Sequence, residues 1–127
     1  MKRLLFVIVL FAFIGFATAA LAHESHLRVT GTYSNLHYNG EAGDLLGMEL
    51  LIIPARSGYV ACVQVAEGGA PFVAVVPISV SGTQMQFTMP ASYGGQHITG
   101  SFTGTRLVLH WPQGQQEVLL RGKSYWQ

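Results

Sequence analysis

The sequence predicts a single small all-β domain behind an N-terminal signal peptide: an antiparallel meander of about eight strands, closed into a barrel or alternatively folded as a β-sandwich. Three observations lead there. Short runs rich in β-branched and aromatic residues recur at near-regular spacing, with Gly, Pro, Ser and Asn between them. No window of helical length beyond the first 22 residues carries an apolar stripe at a 3.6-residue period. At two of the breaks the flanking residues alternate apolar and polar, as a half-buried sheet requires.

The N-terminus is read first. Met1-Lys2-Arg3 is followed by an uncharged apolar run, Leu4 to Ala17, and by small residues ending in Ala20-Leu21-Ala22. A basic start, an apolar stretch and a small-x-small site are the parts of a secretory signal, so residues 1–22 are expected to be removed and residues 23–127 to form the mature domain. The protein is then exported, periplasmic or secreted, with no stable membrane span after processing. Loss of Lys2 and Arg3 from seven basic residues leaves five against six acidic ones, a net charge of −1 with His neutral. Without a basic patch, nucleic acid is excluded as the expected partner. Cys62 is the single cysteine, which rules out an intramolecular disulfide. Its neighbours Val60, Ala61 and Val63 predict a buried thiol.

The expected strands run Leu27–Tyr33, Met48–Ile53, Tyr59–Ala66, Phe72–Val80, Thr83–Met89, His97–Thr103, Arg106–Trp111 and Glu117–Arg121. With Ser81-Gly82 as a two-residue turn, Ile78 faces Met85, Val76 faces Phe87 and Ala74 faces Met89, with Ser79–Gln84 and Pro77–Gln86 on the other side. With Gly104-Thr105 as a type II′ turn, Phe102 faces Leu107, Gly100 faces Leu109 and Ile98 faces Trp111, leaving Thr103–Arg106, Ser101–Val108 and Thr99–His110 outward. Phe72, Phe87, Phe102, Trp111, Met85 and Met89 thereby fall on the inner face. They are expected to fill a barrel of this size rather than line a ligand cavity. Ser34 to Asp44 reads as the longest loop, polar and aromatic, of the kind that often carries function.

The opening segment Val29-Thr30-Gly31-Thr32-Tyr33 resembles the first strand of the calycin barrels, the lipocalins and avidins, in which Gly-x-Trp begins the barrel. In lipocalins that Trp packs under a basic residue near the last strand. The resemblance implies a barrel here, with Tyr33 at the Trp position and Arg121 as the residue packed against it.

Catalytic constellations are few. Ser57 and Ser92 lie in turns, with no Gly-x-Ser-x-Gly elbow and with Asp44 as the single aspartate. Glu41, Asp44 and Glu49 match no calcium-loop spacing and read as a solvated loop. His97 and His110 are diagonal neighbours on an outward face, too few to make a metal site. The domain is therefore not expected to be an enzyme and no cofactor is implied. It reads as a non-catalytic binding module of the cell envelope that meets an envelope protein or a small apolar ligand. By elimination, recognition falls to Leu36, His37 and Tyr38 in the aromatic loop and to Tyr125 and Trp126 in the tail, since Tyr and Trp anchor many interfaces. The tail could instead plug the barrel mouth. The alternative function is periplasmic copper or zinc handling. Processing would make His23 the first residue, whose amine and imidazole chelate copper, with His26 as a further ligand.

Overall fold

The computed structural model describes residues 28–127, so the expected export signal and the candidate ligands His23 and His26 lie outside the described residues. The chain folds as nine strands: β1 (Gly31–Ser34), β2 (His37–Asn39), β3 (Asp44–Ala55), β4 (Gly58–Glu67), β5 (Phe72–Ser81), β6 (Gln84–Thr88), β7 (His97–Thr103), β8 (Arg106–His110) and β9 (Gln116–Arg121). Each pairs antiparallel with its neighbour in the order β1-β9-β8-β7-β6-β5-β4-β3-β2, and β1 also pairs with β3. That second pairing closes eight strands into a barrel and leaves β2 as an extra strand beside the first half of β3. Closure leaves two open flanks among the described strands, the outer side of β2 and residues 72–78 of β5, which β6 meets only at Ser79–Ser81. Among the described residues no helix is long and apolar enough to cross a membrane.

The two-residue period decides what faces inward. On β3, Met48, Leu50 and Ile52 are buried while Leu51 and Ile53 are exposed. On β7 the buried set is Ile98, Gly100 and Phe102. Tyr33, Leu50, Val63, Ile98, Leu107, Leu109 and Leu119 are at most 1% exposed, so side chains fill the interior as expected of eight strands. Phe87, Phe102, Met85, Met89 and Trp111 all join this core, while Phe72 is partly buried at its margin.

The β7–β8 hairpin has the predicted register, from Thr103↔Arg106 to Thr99↔His110, and Gly104 leads the turn at φ +60°. The β5–β6 hairpin differs. Its pairs are Ser81↔Gln84, Val80↔Met85 and Ser79↔Gln86, so the turn is Gly82-Thr83 and not Ser81-Gly82. A type II′ turn demands positive φ at its first central residue, which Gly82 meets at +59° and Ser81 does not. The two hairpins thus use the same Gly-Thr pair. Because the register moves by two, every side chain keeps its predicted face.

Three further expectations are corrected. The stretch from Ser34 to Asp44 is not all loop, since His37, Tyr38 and Asn39 pair with Leu46, Leu45 and Asp44. Cys62 is not buried. It lies on the outer face of β4, half-buried between Leu51 and Val75, its ladder partners. Alternation set by Ala61 and Val63 inside forces it outward, whatever its neighbours' hydropathy. The C-terminal tail does not plug the barrel mouth but docks on the outer wall.

Candidate functional site

The barrel ends differ, and the difference places the site. At one end β3–β4, β5–β6 and β7–β8 close with the short turns Arg56-Ser57, Gly82-Thr83 and Gly104-Thr105. Here Arg121 seals the interior. Its Nη1 donates to the Thr30 carbonyl at 2.8 Å, its Nη2 donates to the Tyr33 hydroxyl, and its Cζ stands 4.9 Å from the Tyr33 ring centroid. The Tyr33 hydroxyl donates in turn to the Val29 carbonyl at 2.9 Å. A buried tyrosine is therefore fully partnered, and a guanidinium shares its face.

At the other end the connections are longer: 40–43, 68–71, 89–96 and 111–115. The last two of these, with the adjoining ends of β3, β4 and β9, line a cleft of about 570 Å³. Its walls are built from five segments of the chain, 35–37, 46–48, 65–67, 93–96 and 111–117. Asn35, just after β1, acts as a clip. Its backbone N–H donates to the Met48 carbonyl at 3.0 Å, its Oδ1 accepts the Met48 N–H at 2.7 Å, and its Nδ2 donates to Glu117 Oε2 at 2.8 Å. Gly47 makes room for it: a Cβ there would stand 2.6 Å from the Asn35 carbonyl oxygen, at a φ of +102°. Glu117 also accepts from Gln115 Nε2 at 3.0 Å, so both carboxylate oxygens are oriented by amides.

Tyr93 sits on a short 3-10 turn, Ala91–Tyr93, with its ring 4.7 Å from that of Phe72. Burial, then the hydrogen bond and the charge of Glu67, push its hydroxyl from 10.0 up to about 12. It is thus a neutral hydroxyl held beside a carboxylate.

Two polar atoms in the cleft wall have no partner. Trp111, at the end of β8, is 9% exposed, and its Nε1 is buried without an acceptor. The Oε1 of Gln96, just before β7, is buried without a donor. Leaving such groups dry and unpaired costs roughly 1–3 kcal/mol each. Both residues line the cleft.

Charge is segregated along the barrel axis. Arg28, Arg56, Arg106, Arg121 and Lys123 all lie at the sealed end or in the chain leading from it. Glu41, Asp44, Glu67 and Glu117 all lie around the open end.

The residues singled out from sequence are scattered over this structure. His37 lines the cleft, its Nδ1 3.0 Å from the Asn35 carbonyl. Leu36 is buried beside it at 8% exposure, and Tyr38 projects from β2 at 59%. Tyr125 and Trp126 lie elsewhere, on the outer wall, over the one charged side chain buried among the described residues, Glu49. Ser124 Oγ donates to Glu49 Oε1 at 2.5 Å, the Tyr125 N–H donates to Oε2 at 2.8 Å, and Trp126 Nε1 donates to Gln64 Oε1 at 2.8 Å. Glu49 is thus no part of a solvated acidic loop. Beside the docked tail the outer faces of β3 and β5 expose Leu51, Ile53, Val73 and Val75.

His97 turns away from His110, toward Gln86 Oε1 at 3.1 Å and Thr88 Oγ1 at 3.3 Å. Among the described residues no three His, Cys, Asp or Glu side chains come together as metal ligands. Sequence reasoning missed Trp111, Gln96, Tyr93, Glu67 and Glu117 as members of one site. A signal existed for Trp111: an indole at the last inward position of a strand, followed by the polar Pro112–Gln116, needs a partner for its N–H.

Fold and site together define a small closed antiparallel β-barrel, sealed at one end and open at the other. No protein-family model, curated protein or solved structure matches the chain.

Proposed function

We propose that the protein is a non-catalytic binding module of the cell envelope that receives a small ligand at the open mouth of its barrel. One observation carries this reading: Trp111 Nε1 and Gln96 Oε1, dehydrated and unpartnered in the wall of a large cleft. A ligand that pairs them recovers free energy the empty site forgoes, which is the usual logic of a concave site with a few convergent polar groups. The packed interior argues against an apolar molecule held inside the barrel, and the polar rim favours a hydrophilic one. The seal made by Arg121 on Tyr33 supports the likeness to calycin barrels, in which a basic residue near the last strand packs on the opening aromatic. The leader at residues 1–22 supports export, and mass spectrometry of the exported protein should find His23 at its N-terminus.

A thermal-shift screen of small polar compounds tests the binding reading. A true ligand at one hundred times its Kd adds about 2.7 kcal/mol to stability. The gain should vanish in Trp111→Phe and Gln96→Ala. If every stabilising compound acts equally on wild type and both variants, the mouth is not the site.

A further inference from the structure

The geometry points to a ligand class for this mouth: a small polyhydroxylated molecule carrying a protonated amine, such as an amino sugar. The inference rests on the reading of the mouth as the ligand site and adds its chemistry. Trp111 Nε1 can only donate, and Gln96 Oε1 can only accept. A ligand that reaches both, with a small movement of the two side chains, offers an acceptor to one and a donor to the other, which hydroxyl groups do. The amide side chains of Asn35, Gln113 and Gln115 on the same wall suit hydroxyls equally, being donors and acceptors at once.

The charge of the ligand follows from the rim. Glu67 and Glu117 both line the cleft, while no Lys or Arg does. All the basic residues of the described chain belong to the far end. An anion would meet two carboxylates with nothing to offset them. A cation meets them without competition from a resident ammonium or guanidinium, and the field of the acidic end draws it inward. Glu117 is already oriented by Asn35 and Gln115, so its carboxylate need not be reorganised when the amine arrives. The Tyr93 hydroxyl, raised to about 12, stays neutral beside Glu67 and leaves the carboxylate as the charged group of that wall. A cleft of about 570 Å³ is within the size range of small-molecule sites.

The two tryptophans of the chain give a direct test. Trp111 is in the mouth with a free indole N–H, and Trp126 is on the outer wall with its indole N–H bonded to Gln64. In nitrogen-15 labelled protein the two indole signals are assigned with Trp126→Phe, then followed during titration with glucosamine, glucose and glucuronate. Glucosamine should shift the Trp111 signal saturably and leave that of Trp126 in place. Glucose should bind roughly two- to fivefold more weakly, the loss expected from removing an exposed ion pair, and glucuronate should not bind. Glu67→Gln and Glu117→Gln, made singly so that one can fail to fold without ending the test, should each erode the preference for glucosamine over glucose. Equal binding of glucosamine and glucose overturns the amine while leaving the mouth as the site. Tighter binding of glucuronate, or a response of Trp126 in place of Trp111, overturns the ligand class. If none of the three moves the Trp111 signal although the thermal screen finds a mouth ligand of other chemistry, the class is wrong and the mouth reading stands.

Discussion

The two ends of the barrel are made from the same eight strands and treat their polar groups in opposite ways. At the sealed end short turns bring the strands together, and the one large polar group inside, the Tyr33 hydroxyl, is bonded to the Val29 carbonyl and to Arg121. At the open end the loops are longer, and two side-chain polar atoms are dry and unpaired. Satisfying every group stabilises, and leaving two buried and unpaired costs stability. In a domain of about one hundred residues, whose total stability is on the order of 5–15 kcal/mol, that cost is tolerable once and not at both ends. One end is fully bonded, and the other carries the cost of the unpaired groups.

The largest expected effect lies in the interior that both ends share. Phe87→Ala should cost about 3–5 kcal/mol in chemical denaturation, while Gln86→Ala, one residue away and outward, should be nearly neutral. Equal costs would break the inside–outside alternation on which the whole comparison stands. Next come the ends themselves. Arg121→Met removes two charged hydrogen bonds at the seal and should cost about 2–3 kcal/mol, whereas Gln96→Ala, which relieves the unpaired Oε1 at the mouth, should be neutral to stabilising by about 1 kcal/mol. A costly Gln96→Ala would mean that the mouth is structural.

A smaller effect is expected from the tail. Deleting Ser124–Gln127 removes the donors on Glu49 and Gln64 but also returns Glu49 to water, so the net loss should be about 1 kcal/mol, read as a fall in Tm of roughly 4–8 °C. An unchanged Tm would show that the docked tail contributes nothing to the wall. The smallest effect is a titration. Tyr93 ionises at about 12 in the fold against 10.0 ordinarily, so its contribution to stability is complete below pH 10.0 and is lost as the pH rises toward about 12. Ultraviolet titration should find one phenol near 12 that Tyr93→Phe removes and Glu67→Gln moves back down. A high-pH phenol that survives Tyr93→Phe would sink the assignment.

The fold was legible because alternation and turn chemistry are local. Thr99 to His110 could be paired residue by residue, since Gly104-Thr105 satisfies a type II′ turn and places Phe102, Leu107 and Leu109 on one side. The same logic misplaced the other turn by one residue: Ser81-Gly82 and Gly82-Thr83 give identical faces, and hydropathy does not distinguish registers that differ by two. Cys62 was misjudged because its outer neighbours Leu51 and Val75 are themselves apolar, so this part of the wall lacks the polar outer face that marks a half-buried strand. The mouth was illegible for a different reason. Asn35, Glu67, Tyr93, Gln96, Trp111 and Glu117 come from three connections and from β4 and β9, with no sequence spacing in common, and the barrel's closure alone brings them together. Trp111 was placed in the core correctly, but burial of its ring hid the question of what its N–H would bond.

The separation of arginines and lysine from the mouth carboxylates gives the folded domain an electric dipole moment directed along the barrel. In a uniform field the molecule would turn as a compass needle does, and a charged interface supplies such a field within about 8–10 Å of its surface at physiological salt. Near an anionic sheet of lipid or polymer the Arg56 and Arg106 turns would face the surface and the mouth would face away from it. The molecule's orientation at such a surface, and with it the direction in which the Trp111 end points, thus follows from which turns carry arginine.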